Sequence, residues 1–313
     1  MVRYIFGRIL QMVPVMFGVI LVVFFLTHII PGDPVSLMLG AQYTKQEYEE
    51  MRVYLGLDRP LPVQFLGYLK GVVTGDLGKS VRSRESVTTV VFRRFPATFI
   101  LAVSAIFISA LVSIPMGIIS ALKRNTFVDY VSMIGAQLGI SIPVFWWGIM
   151  LILLLSLYLD ILPAGGRGDP PDLIHLLMPA FCLSAPYMAM TARLTRSCML
   201  EVLRENYIVA ARSRGLPEMR IILKHALRNA MIPVVTNLGL QLSRVLGGAL
   251  VIEVVFRWQG MGSLAYDAIM ERDYSVVMGV VILVAFIFIM INLLVDISYT
   301  FFDPRIRYDT KMS

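Results

Sequence analysis

Six stretches of predominantly apolar residues, each about 20 residues long or longer, constrain this chain more than any other feature of its sequence. A helix of about 20 residues spans the roughly 30 Å hydrocarbon core of a bilayer. The stretches lie at residues 9–30, 97–122, 131–159, 173–195, 230–252 and 275–301. They predict an all-α membrane protein with six transmembrane helices.

The composition supports the same class. Charged residues make up 16% of the 313 residues and hydrophobic residues 57%, whereas a soluble domain carries about 25% charged residues. The formal net charge is +7. Because the basic residues lie beside the apolar stretches, the charge indicates membrane topology and argues against a nucleic-acid partner.

The distribution of Lys and Arg predicts the orientation. With the amino terminus inside, fifteen Lys and Arg residues lie in the termini and inner loops, eight of them at 193–229. The short outer loops contain three, Arg167, Arg257 and Arg272. The positive-inside rule therefore places both termini in the cytoplasm. The segment 31–96 is left out of this count because the rule does not hold for loops longer than about 60 residues. In this orientation the segment is extracytoplasmic, and it is long enough to form a small subdomain.

One sequence in that segment resembles a nucleotide site without being one. Gly75-Asp76-Leu77-Gly78-Lys79-Ser80 ends like a phosphate-binding loop, but the pattern requires a glycine where Val73 stands. No hydrophobic strand precedes it, so we interpret it as a turn.

The residue pattern does not indicate a catalytic site or a metal site. His28, His175 and His225 lie on different segments without a carboxylate or cysteine at metal-ligand spacing. Cys182 and Cys198 are 16 residues apart, and we interpret them as packing residues. A membrane enzyme would need a constellation that is missing here.

The loop after the fourth apolar stretch is the most informative region. Its pattern predicts a helix, a pair of small residues (Ala210 and Ala211), a break at Gly215 and Pro217, and a basic helix leading into the fifth span. Small residues let another protein surface approach the backbone, and Gly215 permits the left-handed turn that ends a helix. A plain basic cytoplasmic loop is the alternative that these residues leave open.

This loop resembles the EAA motif of ABC importer permeases, a short helix that docks into a groove on the ATPase subunit. The chain is most similar to the dipeptide/oligopeptide permease family. The shared segments, in order, are IIPGDP (29–34), LGLDRPL (55–61), GDLGKS (75–80), IPVFWWG (142–148), TRSCMLEVLRENY (195–207), ARSRGL (211–216), HALRNAMIPVVT (225–236), RDY (272–274), INLLVD (291–296) and PRIR (304–307).

The resemblance has two departures. Val209 stands where the general motif has its glutamate, and Arg228 where it has the final proline, so no role of that glutamate is carried over. The resemblance implies an ATPase-coupling segment formed by Glu205, Tyr207, Ala210, Ala211, Arg212, Gly215 and Leu216.

The resemblance also implies the type I ABC importer permease fold, divided into an N-terminal helix with its extracytoplasmic segment (1–95), a five-helix core (96–303) and a cytoplasmic tail (304–313). It implies a permease without catalytic activity in a bacterial or archaeal inner membrane. Its partners would be a second, homologous permease, an external substrate-binding protein and two cytoplasmic ATP-binding subunits. ATP and Mg²⁺ would bind to those subunits, and no cofactor to this chain.

Polar side chains in the fifth apolar stretch are candidates for the translocation path. Arg244 lies near its middle, with Asn237 and Gln241 one or two turns away on the same helical face. They could line the path, where Arg244 would meet a peptide carboxylate. Alternatively, they could form hydrogen bonds or an ion pair between helices. The residues alone leave both open.

Two alternatives concern function. A secondary transporter would need carboxylates near the bilayer centre, and the apolar stretches contain none there. The same permease family also serves nickel, glutathione and other small solutes. The resemblance implies dipeptides or oligopeptides as substrate, with these solutes as the alternative.

Overall fold

The computed structural model describes residues 2–29, 34–39, 42–54 and 56–302. Helices dominate them: α1 (Val2–Ile29), α2 (Pro34–Leu39), α3 (Lys45–Tyr54), α4 (Leu61–Thr74), α5 (Val87–Leu122), α6 (Phe127–Ser141), α7 (Val144–Leu151), α8 (Leu173–Val202), α9 (Asn206–Ser213), α10 (Glu218–Arg220), α11 (Leu227–Gly248), α12 (Leu250–Val255), α13 (Met261–Met270) and α14 (Tyr274–Phe302). Two π-helical stretches, Ile152–Tyr158 and Ile221–Ala226, continue α7 and α10.

Among the described residues, four helices are long and apolar enough to cross a membrane, namely α1, α5, α8 and α14. They coincide with four of the six apolar stretches. The stretch expected at 131–159 is a broken pair instead, because α6 and the helix that begins with α7 meet at 100°. Ile142 between them is extended, with φ −90° and ψ 128°, since Pro143 disfavours helical geometry in the residue before it.

The stretch expected at 230–252 corresponds to α11 and α12. Helix α11 has 22 residues, or about 33 Å of helix. Because of its polar residues, α11 is not among the described helices that length and composition alone identify as membrane spans. Those are four helices, or five spans if the bent pair counts as one.

Helix α5 begins ten residues earlier than the apolar stretch from 97 predicts. It has 36 residues, from Val87 to Leu122, which corresponds to about 54 Å against a hydrocarbon core of roughly 30 Å. It continues through Arg93, Arg94 and Pro96, which the sequence placed in the extracytoplasmic segment 31–96. The additional length must project beyond the apolar layer.

The chain divides into two compact units. The larger comprises Phe99–Trp258 and the chain from Met290, and the smaller comprises Val2–Thr98 and Gln259–Ile289. In the larger unit, helices approach closely at glycines. A Cβ placed on Gly139 of α6 would lie 3.2 Å from the carbonyl oxygen of Ala185 on α8, and one on Gly117 of α5 would lie 2.7 Å from that of Ala192. Helices α5, α6 and α8 are therefore packed backbone to backbone.

In the smaller unit, α1 packs on α4 through aromatic rings. Phe24 contacts Phe65 and Tyr68 at centroid distances of 5.3 and 6.0 Å, and Phe17 contacts Phe65 at 5.7 Å. The segment expected to form a subdomain thus contains three helices, α2 to α4. Residues 31–33, part of the shared segment IIPGDP, lie outside the described residues, as do residues 303–313 with the shared segment PRIR.

The sequence from Gly75 to Ser80 forms the expected turn. Gly75 and Gly78 have φ values of 80° and 85°, a region that favours glycine. An isolated antiparallel bridge then pairs Lys79 with Ser86, directly before α5.

Candidate functional site

The segment that resembles the coupling motif is a short helix bounded by two turns. Glu205 is extended, with φ −65° and ψ 145°, and α9 follows it. Beyond the end of α9, the amide of Gly215 donates to the carbonyl of Arg212 at 2.9 Å, and Gly215 has φ 74°. Pro217, with φ −63°, then precedes α10. The helix, the left-handed glycine and the proline follow the order that the sequence predicts.

The inner face of α9 is packed against its own chain. We call the buried group that holds it the α9 cluster, formed by Ala121, Cys198, Met199, Ile208, Ala211, Ile221, Ile222, Ala226 and Ala230. Leu216 is half-buried against the same cluster. Ile208 is fully buried and Ala211 is 8% exposed. The small side chain of Ala211 therefore serves close packing within the chain, and a partner surface could not reach it here.

The outer face of α9 is exposed. Tyr207 and Val209 are 41% and 53% exposed, and Ala210 beside them is also exposed. The Tyr207 hydroxyl accepts a 2.8 Å hydrogen bond from the Asn229 side chain. The two neighbouring alanines thus face opposite ways: Ala211 packs against its own chain, and Ala210 lies on the exposed side of α9.

An ion pair closes the turn after α9. Arg212 donates two hydrogen bonds to Glu218, at 2.6 and 3.2 Å. These bonds from Arg212 lower the pKa of the Glu218 carboxyl below its ordinary value. Both side chains are about half exposed, so the pair contributes little stability. It fixes the direction in which the chain leaves Gly215.

Glu205 belongs to a shallow groove beside the start of α9. The groove has a volume of about 510 Å³ and is lined by Arg124, Ser197, Leu200, Glu201, Arg204, Glu205 and Asn206. It brings the turn between α5 and α6 next to the end of α8. Charges of both signs line it.

The three polar residues of α11 do not share one environment, although helical spacing places them on one face. Gln241 is fully buried. Its side chain exchanges hydrogen bonds with the Thr191 hydroxyl of α8, at 3.1 and 3.2 Å. Gln241 thus joins two helices, as in the structural alternative left open by the sequence.

Asn237 and Arg244 differ from Gln241. The side-chain nitrogen of Asn237 is buried and has no hydrogen-bond partner among the described residues. Arg244 is exposed, and its guanidinium interacts electrostatically with Tyr187 of α8. Arg244 is the charged residue of the three, and it is exposed on the surface of the chain.

Sequence reasoning missed a buried ion pair near the groove. Asp129 of α6 is 2% exposed, and Arg196 of α8 donates to both of its oxygens at 2.7 Å. The available signal was the carboxylate itself. An acidic residue two positions before an apolar stretch needs a partner, and Arg196 lies at the end of another.

Within the described parts of the chain, no group of three or more His, Cys, Asp or Glu side chains could hold a metal ion. His28 contacts Gln64, and His175 contacts Asp172. Cys182 and Cys198 are free and buried, in keeping with a packing role.

Comparison with known proteins agrees with this arrangement. Residues 113–308 match the family described as "Binding-protein-dependent transport system inner membrane component". Residues 1–102 match the family of the N-terminal part of such membrane components. Together, the two families account for nearly the whole chain.

Relatives align from end to end. The dipeptide transport system permease protein DppB of Escherichia coli K12 is 40% identical, over 98% of this chain and 99% of the relative. The di/tripeptide transport system permease protein DppB of Pseudomonas aeruginosa UCBPP-PA14 is also 40% identical, with the same coverage. The glutathione transport system permease protein GsiC of Escherichia coli O6:H1 is 41% identical, over 98% of this chain and 100% of the relative.

A solved structure shares the fold. The MetNI methionine ABC transporter, in an inward-facing conformation, matches with a TM-score of 0.58 and 17% identity, covering 68% of this chain and 96% of that chain. The all-α, type I importer fold expected from the sequence is thereby confirmed. The chain is a multi-pass inner-membrane protein that belongs to the binding-protein-dependent transport system inner-membrane components, the non-catalytic permease subunits of ABC importers.

Proposed function

We propose that this permease forms part of the path for dipeptides or oligopeptides and that α9 couples the path to ATP hydrolysis on partner subunits. The observation that carries the coupling role is the two-sided geometry of α9. Ile208 and Ala211 fasten it to the ends of the long helices, while Val209 and Ala210 remain exposed. A helix that is packed on one face and exposed on the other can transmit a displacement from a docked partner to the long helices.

The proposed orientation places both termini and α9 in the cytoplasm of a bacterium or archaeon. It follows from the excess of Lys and Arg on one side of the spans. Residues 1–95 would then comprise the first helix and an extracytoplasmic segment, residues 96–303 the permease core, and residues 304–313 a cytoplasmic tail.

The partners follow from the same proposal. Two cytoplasmic ATP-binding subunits would bind ATP and Mg²⁺, and one would receive the outer face of α9. A second, homologous permease would complete the path, and an extracytoplasmic binding protein would deliver the substrate. Closure of the ATP-binding subunits would move α9 as a lever and switch the path between inward- and outward-facing states.

Peptides are the substrate class supported by relatives at 40% identity that are named for dipeptide and di/tripeptide transport. A relative at 41% identity is named for glutathione transport, and glutathione is itself a tripeptide with free carboxylates. Arg244, exposed on α11, could meet such a carboxylate through a charge-assisted hydrogen bond.

The coupling role can be tested by enlarging the exposed alanine. Ala210→Trp should block docking, so the ATP-binding subunits should no longer co-purify with the permease and peptide uptake should cease. Ala164→Trp is the matched control, because Ala164 is also exposed but lies in the loop between the π-helical stretch and α8. It should retain the ATP-binding subunits. Normal co-purification and uptake with Ala210→Trp would exclude the outer face of α9 as the docking surface.

Substrate class requires its own measurement. In proteoliposomes containing the complete transporter and its binding protein, labelled dipeptide uptake should be competed by unlabelled dipeptides and tripeptides. Competition by glutathione alone would assign the permease to the glutathione group.

A further inference from the structure

The α9 cluster joins α9 directly to only some of the helices around it. Its members come from α5 (Ala121), α8 (Cys198 and Met199), the π-helical stretch after α10, and α11 (Ala230). Residues of α6, which is described throughout, do not contribute to it. A displacement of α9 is therefore passed directly to α5, α8 and α11 by packing, whereas α6 follows only through its own contacts with these helices. One of those contacts is the packing of Gly139 on Ala185, and a further connection lies at the opposite end of α6.

Asp129 supplies that connection at the first turn of α6. Its two oxygens accept the paired donors of Arg196 on α8 at 2.7 Å each. Oδ1 also accepts from the Ser120 hydroxyl of α5, and Oδ2 accepts from the backbone amide of Asn125 at 3.0 Å. One carboxylate thus binds α5, the turn after it, α6 and α8 together.

The pair is held in one geometry. Asp129 is 2% exposed, and the Arg196 side chain is 25% exposed. A bidentate Arg–carboxylate contact fixes the relative orientation of its partners better than a single hydrogen bond does. Asn125 adopts φ 60° at the same point, so the turn is also bent around the carboxylate.

Further contacts extend the connection along α6. Gln137 accepts a 3.1 Å hydrogen bond from Arg193 of α8, and Gly139 lies against Ala185. Helix α6 then ends at the 100° bend that leads into α7. Motion of α6 with α8 is therefore delivered to α7.

We propose that Asp129 is a positioning residue for transport: it locks α6 to the inner end of α8, so that the stroke of α9 also moves α6 and α7. This inference rests on the proposed coupling function of α9. Without the lock, the contacts of Gln137 and Gly139 with α8 would remain, but the first turn of α6 would no longer follow the end of α8, and the path would not open fully.

The test uses the complete transporter in proteoliposomes, with Asp129→Asn and the neutral pair Asp129→Asn/Arg196→Gln. The neutral pair removes the buried uncompensated charge that could unfold the single variant. We expect complex yield and basal ATP hydrolysis to be retained. Substrate-stimulated hydrolysis and uptake should fall about tenfold, a typical coupling effect. Normal stimulation by the neutral pair would overturn the proposal. So would a fall in yield that matches the fall in uptake, because Asp129 would then be only a scaffold residue.

A distance measurement separates transmission from stability. Spin labels at Phe127→Cys on α6 and Ser213→Cys on α9 occupy exposed positions, and the two native cysteines are buried. With Asp129 present, the label–label distance should remain constant when ATP binds. In the neutral pair it should change or broaden. A constant distance in both proteins would overturn the proposal.

Ala210→Trp, the variant that tests docking on α9, separates a failure of the proposed coupling function from a failure of this inference. If Ala210→Trp leaves assembly and stimulated hydrolysis normal, the coupling function of α9 fails, and the inference about Asp129 fails with it. If Ala210→Trp prevents assembly or stimulation but the neutral pair behaves normally, only the inference fails.

Discussion

The Ser80 hydroxyl donates a 2.5 Å hydrogen bond to Oδ2 of Asp273, a residue 193 positions further along the chain. Both side chains are 3% exposed. The other oxygen of Asp273 accepts from the backbone amide of Val276 at 3.3 Å, and so stabilises the first turn of α14. Two segments shared with peptide permeases, GDLGKS and RDY, therefore meet at one buried carboxylate in the smaller unit.

Ser80→Ala should destabilise the protein because it removes the hydroxyl that donates a hydrogen bond to the buried carboxylate of Asp273. The expected loss of unfolding free energy is about 1.5–3 kcal/mol, as for hydrogen bonds to charged groups. It should be seen as a lower thermal midpoint of the purified protein in detergent. Ser83→Ala is the control, because Ser83 is exposed, and its midpoint should hardly move. Equal thermal midpoints for the unsubstituted protein, Ser80→Ala and Ser83→Ala would contradict a stabilising role for the hydrogen bond between Ser80 and Asp273.

Gly215→Val should abolish peptide uptake while the protein stays in the membrane. A non-glycine residue in the left-handed region costs about 1–2 kcal/mol, and a β-branched one is the least tolerated. A Cβ at Gly215 would meet no atom of the chain within 4 Å, so the cost is one of backbone conformation. Uptake and stimulated ATP hydrolysis measure the effect.

Gly215→Asn provides the matched comparison. Asparagine adopts the left-handed region more readily than valine, so this variant should keep a larger part of the uptake. Equal losses in both variants would show that a side chain itself, and not backbone strain, is what a docked partner rejects. Near-normal uptake with valine would show that coupling does not depend on the left-handed turn at Gly215.

Arg244→Leu should discriminate between substrates. If Arg244 meets a peptide carboxylate, uptake of peptides with a free carboxylate should fall more than uptake of carboxyl-amidated peptides, because only the former lose a charge-assisted contact. Complex yield and basal ATP hydrolysis should be unchanged. Equal losses for both substrates together with lower thermal stability would instead assign Arg244 to the scaffold.

Thr191→Val tests the hydrogen bonds between Thr191 and Gln241. Here we expect lower stability without discrimination between substrates. It leaves the buried Gln241 amide without its partner, which should cost about 1–3 kcal/mol of unfolding free energy. The thermal midpoint should fall and uptake should fall without preference between free and amidated peptides. A change in that preference would place Gln241 at the path after all.

Topology can be tested with single cysteines at Asp58 and Ser213, both exposed positions. The native Cys182 and Cys198 are buried, so background labelling should be low. A membrane-impermeant maleimide should label Asp58→Cys in spheroplasts, and Ser213→Cys only after permeabilisation. Labelling of both from the same side would exclude the proposed orientation.

The sequence predicted the long spans well because apolar length is a local property. The stretch from 173 begins where α8 does, and the stretch at 275–301 lies within α14 by one residue at each end. The start of α5 was missed because Arg93, Arg94 and Pro96 look like a loop. Outside the hydrocarbon layer, a helix readily carries charge and extends past the apolar stretch.

The candidate site was only partly predictable, for a different reason. The turn at Gly215 follows from the conformational freedom of a single residue and was anticipated. The burial of Gln241 and of Ala211 depends on which neighbour a helical face meets, and periodicity does not contain that information. The Asp129–Arg196 pair joins residues 67 positions apart. The carboxylate beside an apolar stretch signals the need for a partner, but local pattern does not identify Arg196 as that partner.

The bend between α6 and α7 has a consequence for solvation. Wherever a helix stops, the carbonyl groups of its last turn and the amide groups of the next helix's first turn lose their intrahelical partners. Hydrocarbon cannot hydrate these groups, and each left bare would cost several kcal/mol. If the span expected at 131–159 places Ile142 and Pro143 at the depth of the lipid tails, this corner must turn its open backbone toward other protein or toward water that reaches into the bundle.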